Sequence, residues 1–135
     1  MRVKYVTFST ISPHDITVDV RSKEEFEKQK RLTYNVPIMS EHEHQEMKRY
    51  IYFAIFIILY RLFQNRREIE EKIRGILENH PTGTLIIGCS RGRLRSPLTA
   101  IYLAVKLNRR VYIIKDGVKY IGEAPVGFFR KWFEV

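Results

Sequence analysis

A short arginine-rich stretch around one cysteine contains the residues of this sequence that are best suited to covalent chemistry. The stretch has the sequence GCSRGRLRS over residues 88–96, and it follows an apolar run, TLIIG, over residues 84–88. The nucleophilic form of cysteine is the thiolate, which is favoured by successive backbone N–H groups and by the positive end of a following helix. The sequence therefore predicts that Cys89 is a reactive thiolate in an anion-binding loop.

The other residues of this stretch fit the binding of an anion. Arg95 can present a planar fork of N–H donors to a tetrahedral oxyanion, and Gly92 allows a tight backbone turn. Arg91 and Arg93 either strengthen the positive field or face a larger anionic partner. The alternative is an inert buried thiol, but three arginines within six residues do not suit a core position. The predicted site consists of catalytic Cys89 and Arg95 with the loop residues Ser90, Arg91, Gly92, Arg93, Leu94 and Ser96, and it includes no metal ligand.

Strand and helix signals alternate along the chain before this loop. Residues 16–21 (ITVDVR) have the β-branched composition of a strand, and the capping-box spacing that begins at Ser22 predicts a helix directly after it. Residues 35–39 predict a short extended segment, and a second capping box at Ser40 predicts the start of a long helical stretch. That stretch extends to about Glu78, and the polar residues 64–67 are predicted to divide it into two helices.

The same alternation continues through the loop. Residues 84–88 are predicted to form a buried parallel strand, Ser96 to cap the next helix with Pro97 in its first turn, and residues 110–114 to form another strand. This alternation predicts an α/β fold, an open parallel sheet with helices on both faces, formed by a single domain over residues 1–135. In such sheets the ligand lies beyond the carboxyl ends of the strands, which is where Cys89 is expected.

Composition limits the expected partners and compartment. The 135 residues carry a formal net charge of +9, which makes an anionic partner such as tRNA plausible. One cysteine and an N-terminus without leader features predict a reducing cytoplasm. The most apolar run, residues 50–60, is shorter than the roughly 20 residues that span a bilayer. It is predicted to be a helix buried in the core, with a helix lying on a lipid surface as the alternative, so no membrane partner is expected.

Segments on both sides of the loop resemble the rhodanese-like family. DVR over residues 19–21, followed by Glu25 and Phe26 and then by NVPI over residues 35–38, resembles the early part of that family's sequence. Asp116 and the glycine after it resemble the segment that follows the last rhodanese strand. The resemblance covers most of the chain and implies a rhodanese-like fold.

The cysteine loop is similar to one branch of that family. Ordinary thiosulfate enzymes have a loop one residue shorter, whereas residues 89–96 resemble the C-x-R-G-G-x-R-S loop in the rhodanese domain of tRNA 2-selenouridine synthase. The match holds at Cys89, Arg91, Gly92, Arg95 and Ser96. The sequence departs from the family at Arg93 and Val118, where glycine is more usual.

The resemblance implies a function in tRNA modification without a bound cofactor. Cys89 would carry or receive selenium or sulfur from an activated donor, such as selenophosphate or a persulfide, for exchange at a wobble 2-thiouridine. Full-length enzymes of the family carry a second domain with a phosphate-binding loop, and archaeal members are split into separate chains. No G-x4-G-K-[ST] motif occurs in this sequence. The resemblance therefore implies a sulfurtransferase or selenotransferase subunit that works with a partner subunit carrying such a loop.

Two other functions fit the same residues. The five residues between Cys89 and Arg95 also match the signature of phosphatases with a rhodanese-like fold. In such an enzyme the thiolate would attack phosphorus, Arg95 would bind the equatorial oxygens, and Asp116 or Glu123 would be the candidate acid. The third possibility is a non-catalytic module whose basic loop binds RNA or a protein, and which would keep its anion binding after Cys89 is removed.

Structural roles are predicted for the remaining polar residues. Asp19 and Arg21, at a strand end, predict an ion pair that braces the fold, as this segment does in the rhodanese-like proteins it resembles. His42 and His44 are two residues apart at a helix start, which is a poor metal-binding pair, so both are predicted to lie on the solvated surface. The aromatic-rich segment 128–133 is predicted either to dock a partner or to pack onto the domain.

Overall fold

The computed structural model describes residues 2–90 and 94–118, and these residues form a sheet of five parallel strands. The strands are β1 (Val3–Val6), β2 (Ile16–Asp19), β3 (Tyr34–Asn35), β4 (Leu85–Gly88) and β5 (Val111–Ile114). Their spatial order is β1-β5-β4-β2-β3, so β4 lies at the centre of the sheet. The fold is an α/β fold with an open, all-parallel sheet, as the sequence predicts.

Five helices connect the strands in the described residues. They are α1 (Lys23–Lys28), α2 (Glu41–Arg49), α3 (Ala54–Gln64), α4 (Arg66–Asn79) and α5 (Arg95–Leu107). Both predicted capping boxes are present, with the side chains of Ser22 and Ser40 accepting hydrogen bonds from backbone N–H groups three residues later. The predicted break between α3 and α4 falls at Asn65, and a second, unpredicted break is a 3₁₀ turn at Ile51–Phe53.

The core lies on both faces of the sheet. Leu85 and Ile87 of β4 belong to a large buried cluster that includes residues of α2 to α5, such as Ile58 and Leu103. Ile86, between them, points to the opposite face because side chains alternate along a strand, and it belongs to a smaller cluster with Leu32, Ile114 and Val118. Burial on both faces explains why β4 is apolar at successive positions.

Helix α5 begins two residues earlier than predicted. Arg95 is its first residue, and Leu94 occupies the cap position without a side-chain cap hydrogen bond. Ser96 lies inside the first turn, so the prediction that it caps the helix is wrong. Its hydroxyl accepts a hydrogen bond from the thiol of Cys89 instead of one from a backbone N–H.

The apolar run over residues 50–60 is mostly exposed, which corrects the prediction of a buried core helix. Only Ala54 and Ile58 are buried in it, and Ile57 is half-buried. The physical reason is that α3 covers the core with one stripe of residues spaced four apart, Ala54, Ile58 and Leu62, and its other sides face outward. Among the described helices, none has the length and apolar character needed to cross a bilayer.

Candidate active site

Cys89 directly follows the central strand and lies at its carboxyl end. Its side chain is 3% exposed, and its backbone carbonyl accepts a hydrogen bond of 2.8 Å from the N–H of Val118, in the segment after β5. The carbonyl of the preceding Gly88 accepts one of 3.0 Å from Val20, in the segment after β2. The backbone at the cysteine is therefore held between the ends of the two strands that flank β4.

The thiol of Cys89 faces the first turn of α5. Its Sγ donates a hydrogen bond of 3.2 Å to the Oγ of Ser96, which is fully buried. A helix N-terminus carries unpaired N–H groups and a partial positive charge, and the sulfur lies beside this end of α5. Ser96, which was predicted as a loop residue, therefore contacts the side chain of Cys89 directly and orients its thiol.

Arg95 lies at the other end of the loop and is already paired. Its Nη1 and Nη2 donate hydrogen bonds of 2.7 and 3.2 Å to the two carboxylate oxygens of Glu25. Burial by itself would lower the pKa of Arg95, but the hydrogen bonds to Glu25 and the charge of Cys89 raise it above its ordinary value. The fork that was predicted to bind a substrate oxyanion is thus bound to a carboxylate of the protein, next to the thiol.

Glu25 connects several parts of the site. Besides Arg95, its carboxylate accepts hydrogen bonds of 3.2 Å from the hydroxyls of Ser22 and Ser90. Burial alone would raise its pKa, but the hydrogen bond and charge of Arg95, with smaller effects of His44 and Ser22, lower it from 4.5 to about 2. Glu25 is therefore an anion at neutral pH and ties α1 to both ends of the cysteine loop.

The sequence alone placed Glu25 in a capping box and in the stretch that resembles the rhodanese-like family, and it predicted no contact with the cysteine loop. That box is present, since the backbone N–H of Ser22 donates to Glu25 and the hydroxyl of Ser22 accepts from the backbone of Glu25. Its second role was missed because Arg95 is 70 residues away. A local capping pattern contains no information about a partner at that separation.

His44 is buried, so its predicted place on the solvated surface is wrong. It is 6% exposed, whereas the side chain of His42 is 83% exposed and lies near Glu46. Side chains two positions apart on a helix point in directions that differ by roughly 200°. His44 therefore faces inward when His42 faces solvent. The Nδ1 of His44 lies 3.4 Å from Glu25 and has no hydrogen-bond partner among the described residues.

The electrostatic surroundings keep His44 uncharged. Burial lowers the pKa of His44 below its usual 6.5, and the positive charges of Arg95 and Lys48 act in the same direction. Glu25 and Glu41 oppose this effect but do not cancel it. His44 is therefore a neutral imidazole packed beside the Glu25–Arg95 pair.

Three of these residues have atoms that a metal ion could bind. Ligand atoms of Glu25, Glu41 and His44 lie within 4.8 Å of one another. However, Glu25 is bound to Arg95, and Glu41 accepts a hydrogen bond of 2.6 Å from Ser22. A cation at this position would compete with the guanidinium of Arg95, so the internal hydrogen bonds account for the cluster better than a metal does.

Asp19 is the last residue of β2, and it forms an ion pair with Arg21 in the turn between β2 and α1. The distance from Nη2 of Arg21 to Oδ2 of Asp19 is 2.7 Å, and both side chains are buried. Arg21 also donates to the carbonyl of Gln29, and the side chain of Asn35 donates to the carbonyls of Asp19 and Arg21. These bonds hold the turn that leads to Ser22 and thus position the start of α1 beside the loop.

The remaining predicted residues are only partly described. Leu94 packs against the large core cluster, and Asp116 lies in the turn after β5 with a positive φ of 68°. The Oδ1 of Asp116 is buried and has no hydrogen-bond partner among the described residues. Arg91, Gly92, Arg93, Glu123 and the aromatic-rich segment 128–133 lie outside the described residues.

Comparison with known proteins adds one similar structure. No protein-family model matches the chain, and no curated protein sequence matches it. A crystal structure described as the "N-terminal domain of putative ATP/GTP binding protein from Clostridium difficile 630" has a TM-score of 0.73 and 24% sequence identity to this chain. The match covers 85% of this chain and 93% of that one. The two proteins share a fold over most of their described length.

Proposed function

We propose that this chain transfers sulfur or selenium through Cys89, as the rhodanese-like subunit of an enzyme that converts 2-thiouridine in tRNA to 2-selenouridine. The observation that carries the proposal is the position of Cys89. Its thiol lies 3.2 Å from the hydroxyl of Ser96, between the carboxyl end of β4 and the first turn of α5. A chalcogen atom on Cys89 is then at the edge of the sheet where open α/β folds bind their ligands.

The covalent step with a sulfane sulfur donor needs only the thiolate. With thiosulfate, the Cys89 thiolate attacks the outer sulfur atom, a new S–S bond forms, and sulfite leaves with the electron pair of the S–S bond that breaks. After Cys89 is deprotonated, the hydroxyl of Ser96 can donate to the sulfur, and together with the N-terminal turn of α5 it stabilises the negative charge on the thiolate and then on the persulfide. No cofactor is required for this step.

The proposed acceptor is the wobble uridine of a tRNA: selenide from an activated donor such as selenophosphate adds at C2, the 2-sulfur leaves as sulfide, and hydrolysis of the P–Se bond of the donor releases phosphate. The net charge of +9 supports binding to an RNA backbone, because Lys and Arg displace counterions from phosphates. Arg91 and Arg93 follow the nucleophile closely in sequence, so two of these cations belong to the same loop. Since Cys89 must stay reduced, we assign the reaction to the cytoplasm.

A nucleotide-binding partner is part of the proposal. The similar crystal structure supports it, because that chain is described as the N-terminal domain of a "putative ATP/GTP binding protein" and has the same fold. This sequence has no G-x4-G-K-[ST] motif, so a phosphate-binding loop of that kind has to come from outside it.

Phosphatase chemistry fits these residues less well. An arginine that binds the equatorial oxygens of a phosphoryl group needs its terminal N–H donors for the substrate. Each terminal nitrogen of Arg95 already donates one N–H to Glu25, so fewer of its five donors are left for a phosphoryl group. Sulfur or selenium transfer requires no such fork from Arg95.

The intact mass of the protein after exposure to donors tests the chemistry. Samples would be treated separately with thiosulfate, selenophosphate and an aryl phosphate, with Cys89→Ser as the control. We expect a sulfur adduct from thiosulfate that is absent in Cys89→Ser. Selenophosphate carries selenium at the selenide level, which adds to a thiolate only with an oxidant, so that sample is a second control. A phosphoryl adduct on Cys89, or no sulfur adduct from thiosulfate, would refute the proposal.

RNA binding is tested by its salt dependence. Replacing Arg91 or Arg93 with Gln is expected to reduce the slope of log affinity against log salt by about one for each phosphate that the arginine neutralises. Arg110→Gln, at an exposed arginine on another segment, is the matched control. Equal slopes in all three variants and the unmodified protein would show that the loop arginines do not contact RNA.

A further inference from the structure

The outward side of α3 and the turn before it form an apolar surface. Of the thirteen large hydrophobic side chains that are exposed in the described residues, nine lie between residues 50 and 63. Six of these nine are aromatic: Tyr50, Tyr52, Phe53, Phe56, Tyr60 and Phe63. We call the nine residues the α3 surface. Such a concentration is unusual, since exposed apolar side chains are normally scattered.

The helix itself is apolar on two sides. Its buried stripe contains Ala54, Ile58 and Leu62, spaced four residues apart. Ile55, Leu59 and Phe63 have the same spacing, one position later, and they are 49%, 47% and 64% exposed. A helix that is apolar all round is normally covered on all sides. α3 therefore has the composition of a helix that packs against a second body.

The area of the surface matches that of a protein interface. Aromatic side chains cover roughly 150–250 Å² each, so the α3 surface exposes on the order of 1,000 Å². The largest apolar patch of a typical monomer is roughly 300–600 Å², and a standard interface buries about 800 Å² on each partner. The surface is thus as large as one side of a standard protein–protein interface.

Charges at the ends of the surface disfavour a second copy of this chain. Lys48 and Arg49 border one end, and Arg66 and Arg67 border the other. Pairing two copies along α3, parallel or antiparallel, brings basic ends together, and like charges across an interface are costly. A partner with acidic residues at both ends of an apolar groove meets no such repulsion.

The border residues also disfavour a lipid surface. Arg61 is held by Glu43, and Arg66 donates a bond of 2.7 Å to the carbonyl of Phe63 and lies over its ring at 4.2 Å. Basic residues that bind lipid headgroups extend toward them on mobile side chains.

We infer that the α3 surface is the docking site for the separate nucleotide-binding protein, through an apolar groove with acidic residues at its two ends. This inference rests on the proposed function, which supplies the partner. It adds the surface on which that partner binds.

Site-specific photocrosslinking in the source cell tests the inference. A photoreactive benzoyl-phenylalanine replaces Tyr60, which is 58% exposed, or Tyr5 on β1, which is 56% exposed and serves as the matched control. We expect the position of Tyr60, and not that of Tyr5, to crosslink to a protein that contains a phosphate-binding loop. With the crosslinked protein purified, Tyr60→Ser should weaken binding at least tenfold, and Tyr5→Ser should not.

Other outcomes overturn the inference in distinguishable ways. A crosslink from position 60 to a second copy of the chain, to lipid, or to no molecule refutes the docking site. A crosslink to the phosphate-loop protein from position 5 alone refutes the α3 surface but keeps the partner. Uptake of sulfur by Cys89 from thiosulfate does not need the partner, so its failure refutes the proposed function independently.

Discussion

The guanidinium of Arg95 and the carboxylate of Glu25, 70 residues apart in sequence, are joined by two parallel hydrogen bonds. Arg95 is the first residue of α5, and Glu25 lies in the first turn of α1. Ser90, at the start of the cysteine loop, donates to the same carboxylate. One carboxylate thus holds both ends of the loop that presents Cys89.

Replacing this carboxylate should destabilise the protein. Glu25→Gln leaves Arg95 buried with its charge unpaired, so we expect the free energy of unfolding to fall by about 3 kcal/mol. Urea denaturation measures the change. Glu24→Gln, at the exposed neighbour on α1, is the control and should stay within about 0.5 kcal/mol of the unmodified protein. Equal stability of the two variants would mean that the pair contributes little.

Lowering the pH should destabilise the protein over a range set by the pKa of Glu25. The pKa of Glu25 is lowered from 4.5 to about 2 in the folded state, so between these values the unfolded chain binds more protons. Stability from this group is complete above pH 4.5 and is lost as pH falls toward about 2, a change of about 3 kcal/mol.

The acid window is measured by urea denaturation at several pH values between about 2 and about 6. Glu41 and Glu43, whose pKa values are also lowered, contribute in the same direction. The contribution of Glu25 is therefore the difference in pH dependence between the unmodified protein and Glu25→Gln. The free energy of unfolding of Glu25→Gln should fall less steeply as pH is lowered. Parallel curves for the two proteins would contradict the assignment.

His44 should make stability depend on pH in a higher range. Its pKa is lowered below 6.5 by burial and by Arg95, so the folded state favours the neutral ring. Its contribution is complete above pH 6.5 and decreases as pH falls through the lower folded value. His44→Gln should remove this decrease, and His42→Gln, at the exposed histidine on the same helix, should keep it. An unchanged pH profile in His44→Gln would show that His44 does not titrate differently in the fold.

Ser96 should affect the reactivity of Cys89 more than it affects folding. Ser96→Ala removes the hydroxyl that contacts Sγ and can donate to it once the thiol is deprotonated, and a hydrogen bond to a charged group contributes about 1.5–3 kcal/mol. We expect roughly tenfold or more slower formation of the Cys89 persulfide from thiosulfate. Ser9→Ala, at an exposed serine, is the control. A persulfide rate in Ser96→Ala equal to that of the control would remove Ser96 from the chemistry.

Several features of this protein are determined by neighbouring residues, and the sequence alone predicts them. The capping boxes at Ser22 and Ser40 each involve residues three apart, and both form. The apolar run before Cys89 becomes the central strand β4, and the polar residues around Asn65 separate α3 from α4. These patterns could be predicted because their interactions close within one helical turn or follow from burial on both faces of a strand.

Other features depend on which distant segments pack together. Strand β1 has only four residues and no strong strand signal, and it forms because Val3 to Val6 pair with β5, more than a hundred residues later. His44 is buried because α2 turns that side of the helix toward Glu25.

The cysteine loop and α3 show the same division between local and long-range interactions. The sequence placed an arginine at the start of α5, but only the fold brought Glu25 to it and so turned the guanidinium from a predicted substrate ligand into the partner of a carboxylate. In α3, apolar residues on every side do not specify which stripe faces the core. The packing against α4 and α5 selects Ala54, Ile58 and Leu62 and leaves the rest exposed, because a helix with one neighbouring layer buries only the side that touches it.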